Sequence, residues 1–471
     1  MDSTKQNTSI PLCHDRGGCH KPGELGKSRW TVLLIVSIVM MMGYIFWDIL
    51  SPLSTIIKSP DQQGGLGWTA TEYGLFAGAY STFNVFLLML FWGGIILDRM
   101  GIRFTGIMAT ALMLCGAVVC YYSMNYIDGK DFVHLPILGQ TKWQVAICAL
   151  GFGIFGVGCD ITGITISKII TKWFQGRELA TAMGIQVAFA RVGTALAISL
   201  SPLIALKHGL TAPVAIGSAH LLFGFLLFIV YTLLLHRKAP TTASAPVRNN
   251  PKTSPEQVGG FRILPFILIV LLCVAFYSSI RPFLKFATDL LINKFGMDSI
   301  TAGWIVSLLP YGTIVLTPLF GNLYDRIGRG ATLMLIGTFI TLGCHLTLML
   351  TQHPPLAIAI AVLLLLGVAF SLVPSAMWAS IPQIVPYKRL GIGYAVIFYI
   401  QNLGLMFVPV IVGQSIDAHT TTTETGALSV DYTQPMAIFV LISILSVIVA
   451  TVLLIVDKQY AIGLEQPNIS N

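Results

Sequence analysis

GIILDRMGIR (residues 94–103) and GNLYDRIGRG (residues 321–330) share the pattern G-x-x-x-D-R-x-G. The matched positions, Gly94 with Gly321, Asp98 with Asp325 and Gly101 with Gly328, all keep one offset. Each block ends the second apolar segment of its half of the chain. A short polar block at the same place in two apolar halves points to a duplicated unit, and the rest of the sequence defines that unit.

The chain has 471 residues, of which 55% are hydrophobic and 10% charged, and its mean hydropathy is +0.79. Soluble domains carry about 25% charged residues, so the composition indicates a polytopic membrane protein. A hydrocarbon core of about 30 Å takes roughly 20 apolar residues per helix. Cutting at charged and Gly/Pro-rich punctuation predicts twelve spans, over 30–50, 73–97, 105–124, 143–171, 179–205, 213–235, 263–292, 301–324, 331–351, 357–385, 391–416 and 435–456. The expected fold is all-α, with two six-helix bundles over 30–235 and 263–456. An N-terminal tail (1–29), a Pro/Ser/Thr-rich linker (236–262) and a C-terminal tail (457–471) complete the chain. Internal repeats of this kind are how many transporters obtain two alternating states around a central site.

The net charge of +8 does not indicate nucleic acid. Its Lys and Arg lie in short loops beside apolar spans, chiefly in the N-tail, the linker and the loops on that same side. Such loops are retained in the cytoplasm, so both termini are expected there and the lipid bilayer is the surrounding partner. The bundle is expected to work as a monomer. The eight cysteines are mostly within apolar segments and imply no disulfide framework. CHDRGGCH, with Cys13, His14, Cys19 and His20, has metal-ligand residue types, but the polar, glycine-rich tail around it reads as flexible. No metal or cofactor is expected. No P-loop, nucleophile elbow or HExxH occurs, and the chain is not read as an enzyme.

FGVGCDITG (155–163) puts Asp160 inside a spanning segment. A charge there is costly and is by default a functional candidate. Asp160 lies as far before Trp173 as Arg191 lies after Glu178, about 20 Å from one turn at 1.5 Å per residue. The two are therefore matched in depth and opposite in sign. They are expected either to hold the two ends of a zwitterion or to form a permanent buried salt bridge. In the repeated blocks, Gly94 and Gly321 are expected to let helices approach closely. Asp98 and Asp325 are expected to accept from a facing helix N-terminus. Arg99, Arg103, Arg326 and Arg329 can pair with carboxylates or headgroups. With the turn residues Gly101 and Gly328, they are read as a latch that shuts the cytoplasmic side in one state; for any single arginine an ordinary basic turn serves equally.

The two blocks, over all twelve spans, resemble the signature of the major facilitator superfamily. YSTFNV (80–85), WFQGRELATAMGIQVAFARVGT (173–194) and YIQNLGLMFVPVIVGQSID (399–417) are similar to its lysosomal dipeptide transporter branch. That resemblance implies facilitated, uniport-type movement of dipeptides, with Asp160 and Arg191 at the positions that hold the peptide's charged ends. Asn84, Gln401 and Asn402 offer donors and acceptors for a peptide amide, and Tyr80 and Trp378 offer amphipathic walls.

The seventh span departs from the branch. SSIRPFLKFATDLL adds Arg281, Lys285 and Asp289. Lys285 and Asp289 are expected to pair at i, i+4 and reach the surface. Arg281 is a second cation in the cavity and favours an anionic substrate, such as an acidic peptide or a phosphate or carboxylate metabolite. An organic-anion carrier is therefore the alternative, and a non-transporting receptor or scaffold is the alternative of another class. Protons are kept as a candidate co-substrate, but the E-x-x-E-R cluster of proton-coupled peptide carriers is missing around Asp48, here read as a water-capped acid at a helix end. The N-tail shows no acidic dileucine signal, and the N-x-[ST] matches at Asn7 and Asn468 fall in the tails. A cell membrane, such as a bacterial inner membrane, is the expected address rather than a lysosome.

Overall fold

The computed structural model describes residues 22–135, 139–174, 178–235, 262–351, 355–386, 389–422 and 428–466. CHDRGGCH, the linker sequence 236–260, Asn7 and Asn468 lie outside these residues. Apolar runs with no water to satisfy their backbone must bond internally, and each of the runs forms helix. The first bundle holds α1 (Pro22–Asp48), α3 (Ala70–Phe86), α4 (Met89–Tyr126), α5 (Trp143–Phe174), α6 (Leu179–His208) and α7 (Ala212–Val230), with a short α2 (Ser54–Lys58) after α1. The second holds α8 (Ile263–Phe295), α9 (Ser299–Ile327), α10 (Gly330–Leu350), α11 (Leu356–Ile384), α12 (Leu390–Ala418) and α13 (Thr433–Tyr460).

Eleven helices among the described residues are long and apolar enough to cross a membrane. The remaining crossing is α3 continued into the start of α4. The expected single span 73–97 is thus corrected: it breaks at Leu88, whose φ of 51° and ψ of 37° are left-handed. That conformation costs about 1–2 kcal/mol for a non-glycine residue, and FLLML holds neither Gly nor Pro to announce it. The helix then turns at Gly101 (φ 78°), where the third crossing begins. A capping box of Thr69 and Glu72 starts α3, three residues before the expected boundary.

Two short antiparallel hairpins, β1–β2 (Phe132–Leu135 with Gly139–Lys142) and β3–β4 (Thr420–Thr422 with Leu428–Val430), sit in loops of the two bundles. Both lie at the end of the molecule opposite the chain termini. We call that end the hairpin face and the other the terminal face.

The bundles are pressed together in the half nearest the hairpin face. There α3 packs on α12 and α6 on α9. A Cβ added at Gly74 would stand 2.3 Å from the Pro409 carbonyl oxygen, and one at Gly78 would stand 2.2 Å from that of Met406. Only glycine allows that backbone approach.

Candidate functional site

Asp160 projects from α5 and is held by two neutral donors. Tyr80 Oη donates to its Oδ1 at 2.7 Å and Asn84 Nδ2 to its Oδ2 at 2.5 Å, both from α3. Tyr80 and Asn84, one helical turn apart, are buried. Asn84 Oδ1 is a buried acceptor with no hydrogen-bond partner. No cation lies within 4.0 Å of Asp160 among the described residues, so the alternative of a permanent Asp160–Arg191 salt bridge is not what the structure contains. The carboxylate, Asn84 Oδ1 and the Tyr80 oxygen together make an acceptor cluster that lacks a positive charge.

Arg191 comes from α6 and faces the second bundle. Its guanidinium carbon lies 4.7 Å from the centre of the Phe370 ring, on α11. Arg281, on α8, lies 5.4 Å from that same ring and 4.9 Å from Trp47. Trp47 in turn stacks on Tyr80, with ring centres 4.1 Å apart and planes 8° apart. A continuous path of contacts thus runs Asp160, Tyr80, Trp47, Arg281, Phe370, Arg191. Cations over aromatic faces are attracted by the ring quadrupole, which keeps both guanidiniums in place while leaving their N–H groups available. Pro282, beside Arg281, has no N–H for the Ser278 carbonyl one turn back, and Ser278 Oγ is buried without a partner.

A small cleft between the bundles is bounded by Trp47, Tyr80, Ser81, Arg281, Lys285 and Pro409. Asp160 and Arg191 are not on its walls; both are partly exposed. The remaining expected residues are in the second bundle or at the bundle boundary. Trp378 Nε1 donates to Tyr277 Oη at 3.0 Å and its ring stacks on Phe398. Asn402 Oδ1 accepts from Ser81 Oγ at 2.6 Å across the boundary. Gln401 is buried and accepts from Cys273 Sγ at 3.6 Å. Asn402 and Gln401 are thus already engaged in this conformation.

Above the cleft, toward the hairpin face, α8 carries Arg281, Lys285 and Asp289 on one side. The expected Lys285–Asp289 pair is corrected: both are buried and each bonds the other bundle. Lys285 Nζ donates to Asp48 Oδ1 (2.8 Å), the Trp47 carbonyl (2.8 Å) and Ser51 Oγ (3.0 Å), which uses all three of its N–H groups. Asp48 is therefore not a water-capped acid; its other oxygen accepts from Thr194 Oγ1 at 2.9 Å. Asp289 accepts from Lys58 Nζ (2.6 Å), Thr55 Oγ1 (2.5 Å) and Tyr432 Oη. A buried charge needs a partner, and these two find theirs only when the bundles meet.

The repeated blocks differ from expectation in this conformation. Side chains added at Gly94 or Gly321 would meet nothing within 4 Å, so neither glycine mediates a close approach. Gly101 and Gly328 serve the turns instead, with φ of 78° and 70°. Asp98 accepts from Lys168 Nζ at 2.7 Å within its own bundle, at an exposed position, rather than from a facing helix. Arg329, in left-handed conformation, precedes α10. The N-terminus of α10 is capped by Glu465 of the C-terminal segment, which accepts from Thr332 N and Thr332 Oγ1 at 2.8 Å each. The facing-helix arrangement does occur at the opposite face. Asp417 of α12 accepts from the Ala70 and Thr71 amides of α3, each at 2.7 Å.

Residues that the sequence left unassigned are Trp47, Phe370, Asp417, Thr194 and Lys58. Asp417 and Lys58 are charged residues at span ends, which is a usable signal; Trp47 and Phe370 look like any apolar-segment aromatic.

The profile described as "Major Facilitator Superfamily" matches residues 32–289 and 270–466. The chain is 27% identical over 423 residues to the lysosomal dipeptide transporter MFSD1 of Homo sapiens, covering 86% of this chain and 85% of the human one. It is 28% identical to the protein of that name from Bos taurus, covering 83% and 80%. Among solved structures, a bacterial homolog to the human lysosomal transporter Spinster, in an inward-facing and occupied conformation, superposes with a TM-score of 0.66 at 16% identity, over 91% of this chain and 97% of that one. The peptide transporter POT in complex with sulfate does so with a TM-score of 0.64 at 12% identity, over 92% and 94%. Likeness at such identities concerns the fold.

Proposed function

The chain belongs to the Major Facilitator Superfamily and is a multi-pass membrane transporter, not an enzyme, and on that premise we propose that it moves dipeptides by alternating access. One observation carries this reading. Among the described residues, Asp160 and Arg191 each lack a partner of opposite charge, and they stand on successive helices at the two ends of an aromatic path. A substrate with one ammonium and one carboxylate complements both. The ammonium has three acceptors waiting in Asp160, Asn84 Oδ1 and Tyr80 Oη. The carboxylate can take parallel hydrogen bonds from the Arg191 guanidinium. The names of the curated relatives support the same substrate class for those proteins.

In this reading, with the hairpin face closed and Gly94 and Gly321 free of close neighbours, the substrate enters and leaves by the terminal face. By the Lys/Arg asymmetry that face is cytoplasmic, and the hairpin face looks to the exterior or, as in the lysosome-named relatives, a lumen. Lys58, Asp48, Lys285 and Asp289 then form the gate that must part in the other half of the cycle. The Gly94–Arg103 and Gly321–Arg329 blocks would close on each other at that stage. Transport is downhill, as a monomer.

Counterflow into proteoliposomes of the purified protein tests the reading. Dipeptides should exchange, and single amino acids and simple organic anions should exchange far less. Exchange of organic anions alone would replace the peptide assignment with the anion carrier, and exchange of nothing would favour a receptor. A pH gradient without a peptide gradient should drive little accumulation.

A further inference from the structure

The region between the bundles around the Trp47–Tyr80 stack and Phe370 holds more positive charge than a zwitterion can balance. Among the described residues, Lys58 is matched by Asp289 at 2.6 Å and Lys285 by Asp48 at 2.8 Å. Asp160, Arg191 and Arg281 remain. Arg281 approaches Asp48 Oδ2 only to 3.9 Å, beyond hydrogen-bond distance. Asp48 is shared there, its Oδ1 accepting from Lys285 and Ser51 and its Oδ2 from Thr194, so that one carboxylate faces two cations. With a peptide's ammonium on Asp160 and its carboxylate on Arg191, the Arg281 guanidinium is left inside the protein without an anion of its own. A buried unmatched charge is unfavourable.

The position of Arg281 makes it usable by the substrate. Both guanidiniums rest on the Phe370 ring, at 4.7 and 5.4 Å from its centre. The two guanidinium carbons are therefore no more than about 10 Å apart, a span that the two carboxylates of one C-terminal acidic residue can bridge. Arg281 also borders the cleft, next to Pro282.

We infer that Arg281 is a specificity-determining residue that selects dipeptides whose C-terminal residue carries a second carboxylate, the α-carboxylate lying on Arg191 and the side-chain carboxylate on Arg281. This deepens the dipeptide reading above and rests on it. A carboxylate–guanidinium contact is charge-assisted and strong, whereas an uncharged amide at the same place leaves the cation unmatched.

Alanyl-glutamate and alanyl-glutamine differ only in that charge. Competition against a transported dipeptide, in proteoliposomes of the wild-type protein, should show alanyl-glutamate binding about tenfold or more tightly than alanyl-glutamine. Arg281→Gln should bring that ratio close to one, and Arg281→Lys should retain part of it. Should Arg281→Gln fail to fold, the wild-type ratio and its reduction in Arg281→Lys decide the matter. Equal or weaker binding of alanyl-glutamate overturns the inference while leaving dipeptide transport intact. A preference that persists unchanged in Arg281→Gln overturns the assignment to Arg281. Transport of no dipeptide at all overturns the dipeptide reading, and this inference with it.

Discussion

Lys285 on α8 and Asp48 at the end of α1 form a buried ion pair, 2.8 Å long, that joins the two bundles across the hairpin half of the molecule. Among the described residues neither has an ion-pair partner within its own bundle, so the pair is complete only when that face is closed. Opening the face separates two charges in a region of low dielectric, unless water enters as it opens. In the proposed cycle the pair is therefore a brake on opening rather than a permanent staple.

Removing one member leaves the other buried and unmatched, a loss that typically costs about 3–5 kcal/mol. Lys285→Met and Asp48→Asn should each lower the thermal unfolding temperature of the purified protein clearly. The double variant should recover a good part of the loss, since neighbouring charges are not additive. Losses that simply add in the double variant would show that the pair contributes nothing as a pair.

The hairpin face also depends on the contact of α3 with α12. Asp417→Ala removes the acceptor for the Ala70 and Thr71 amides, a cap worth about 0.5–2 kcal/mol. Amide exchange over the first turn of α3 should accelerate by roughly tenfold. Gly74→Val must push Pro409 away. Spin labels at Lys130 and Ser429, exposed on opposite bundles, should then move apart, measured in a background without exposed cysteines. An unchanged label distance would remove the glycine contact from the gate.

The charged ends of the peptide are read separately if the site works as proposed. Asp160→Asn should weaken binding of peptides with a free ammonium and spare N-acetylated ones. Arg191→Gln should weaken those with a free carboxylate and spare C-amidated ones. Each charge-assisted contact contributes about 1.5–3 kcal/mol, so each affinity should fall tenfold or more. Thermal shift of the variants with the four kinds of peptide decides it, and a loss indifferent to which end is blocked would defeat the clamp.

Asp298, in the loop before α9, accepts from the Ile300 and Thr301 amides at 3.0 Å each. The Thr301 hydroxyl first, and then these amides, hold its carboxyl below the usual carboxylate range. A depressed folded value means that its contribution to stability is present above the unfolded pKa of about 3.9 and disappears as pH falls through the lower folded value. The difference in α9 first-turn exchange protection between wild type and Asp298→Ala should be constant near neutrality and shrink below about pH 4. A difference that grows on acidification would contradict the assignment.

The amino-acid sequence by itself determined the class and the duplication. Hydropathy accumulates residue by residue along a span. The matched glycine and aspartate blocks and the spacings of Asp160 and Arg191 are likewise properties of linear order, because a helix rises by a constant amount. Tyr80 and Asn84 are legible as candidates in the sequence, although their bonding to Asp160 emerges only where α3 meets α5. The choice of charge partners was a tertiary matter. Lys285 and Asp289 are spaced to pair along one helix, yet Lys285 takes an acid 237 residues away and Asp289 a lysine 231 residues away. Closing the bundles brought acids and bases together with better geometry and less water than the surface of α8 offered. The same closure decided that Asp417, rather than Asp98, caps a helix across the boundary, that Gly74 and Gly78 are the close-approach glycines, and that two arginines share the ring of Phe370. Linear order limits which residues are candidates; contact between the halves selects among them, since desolvation and pairing exist only once both surfaces are in place.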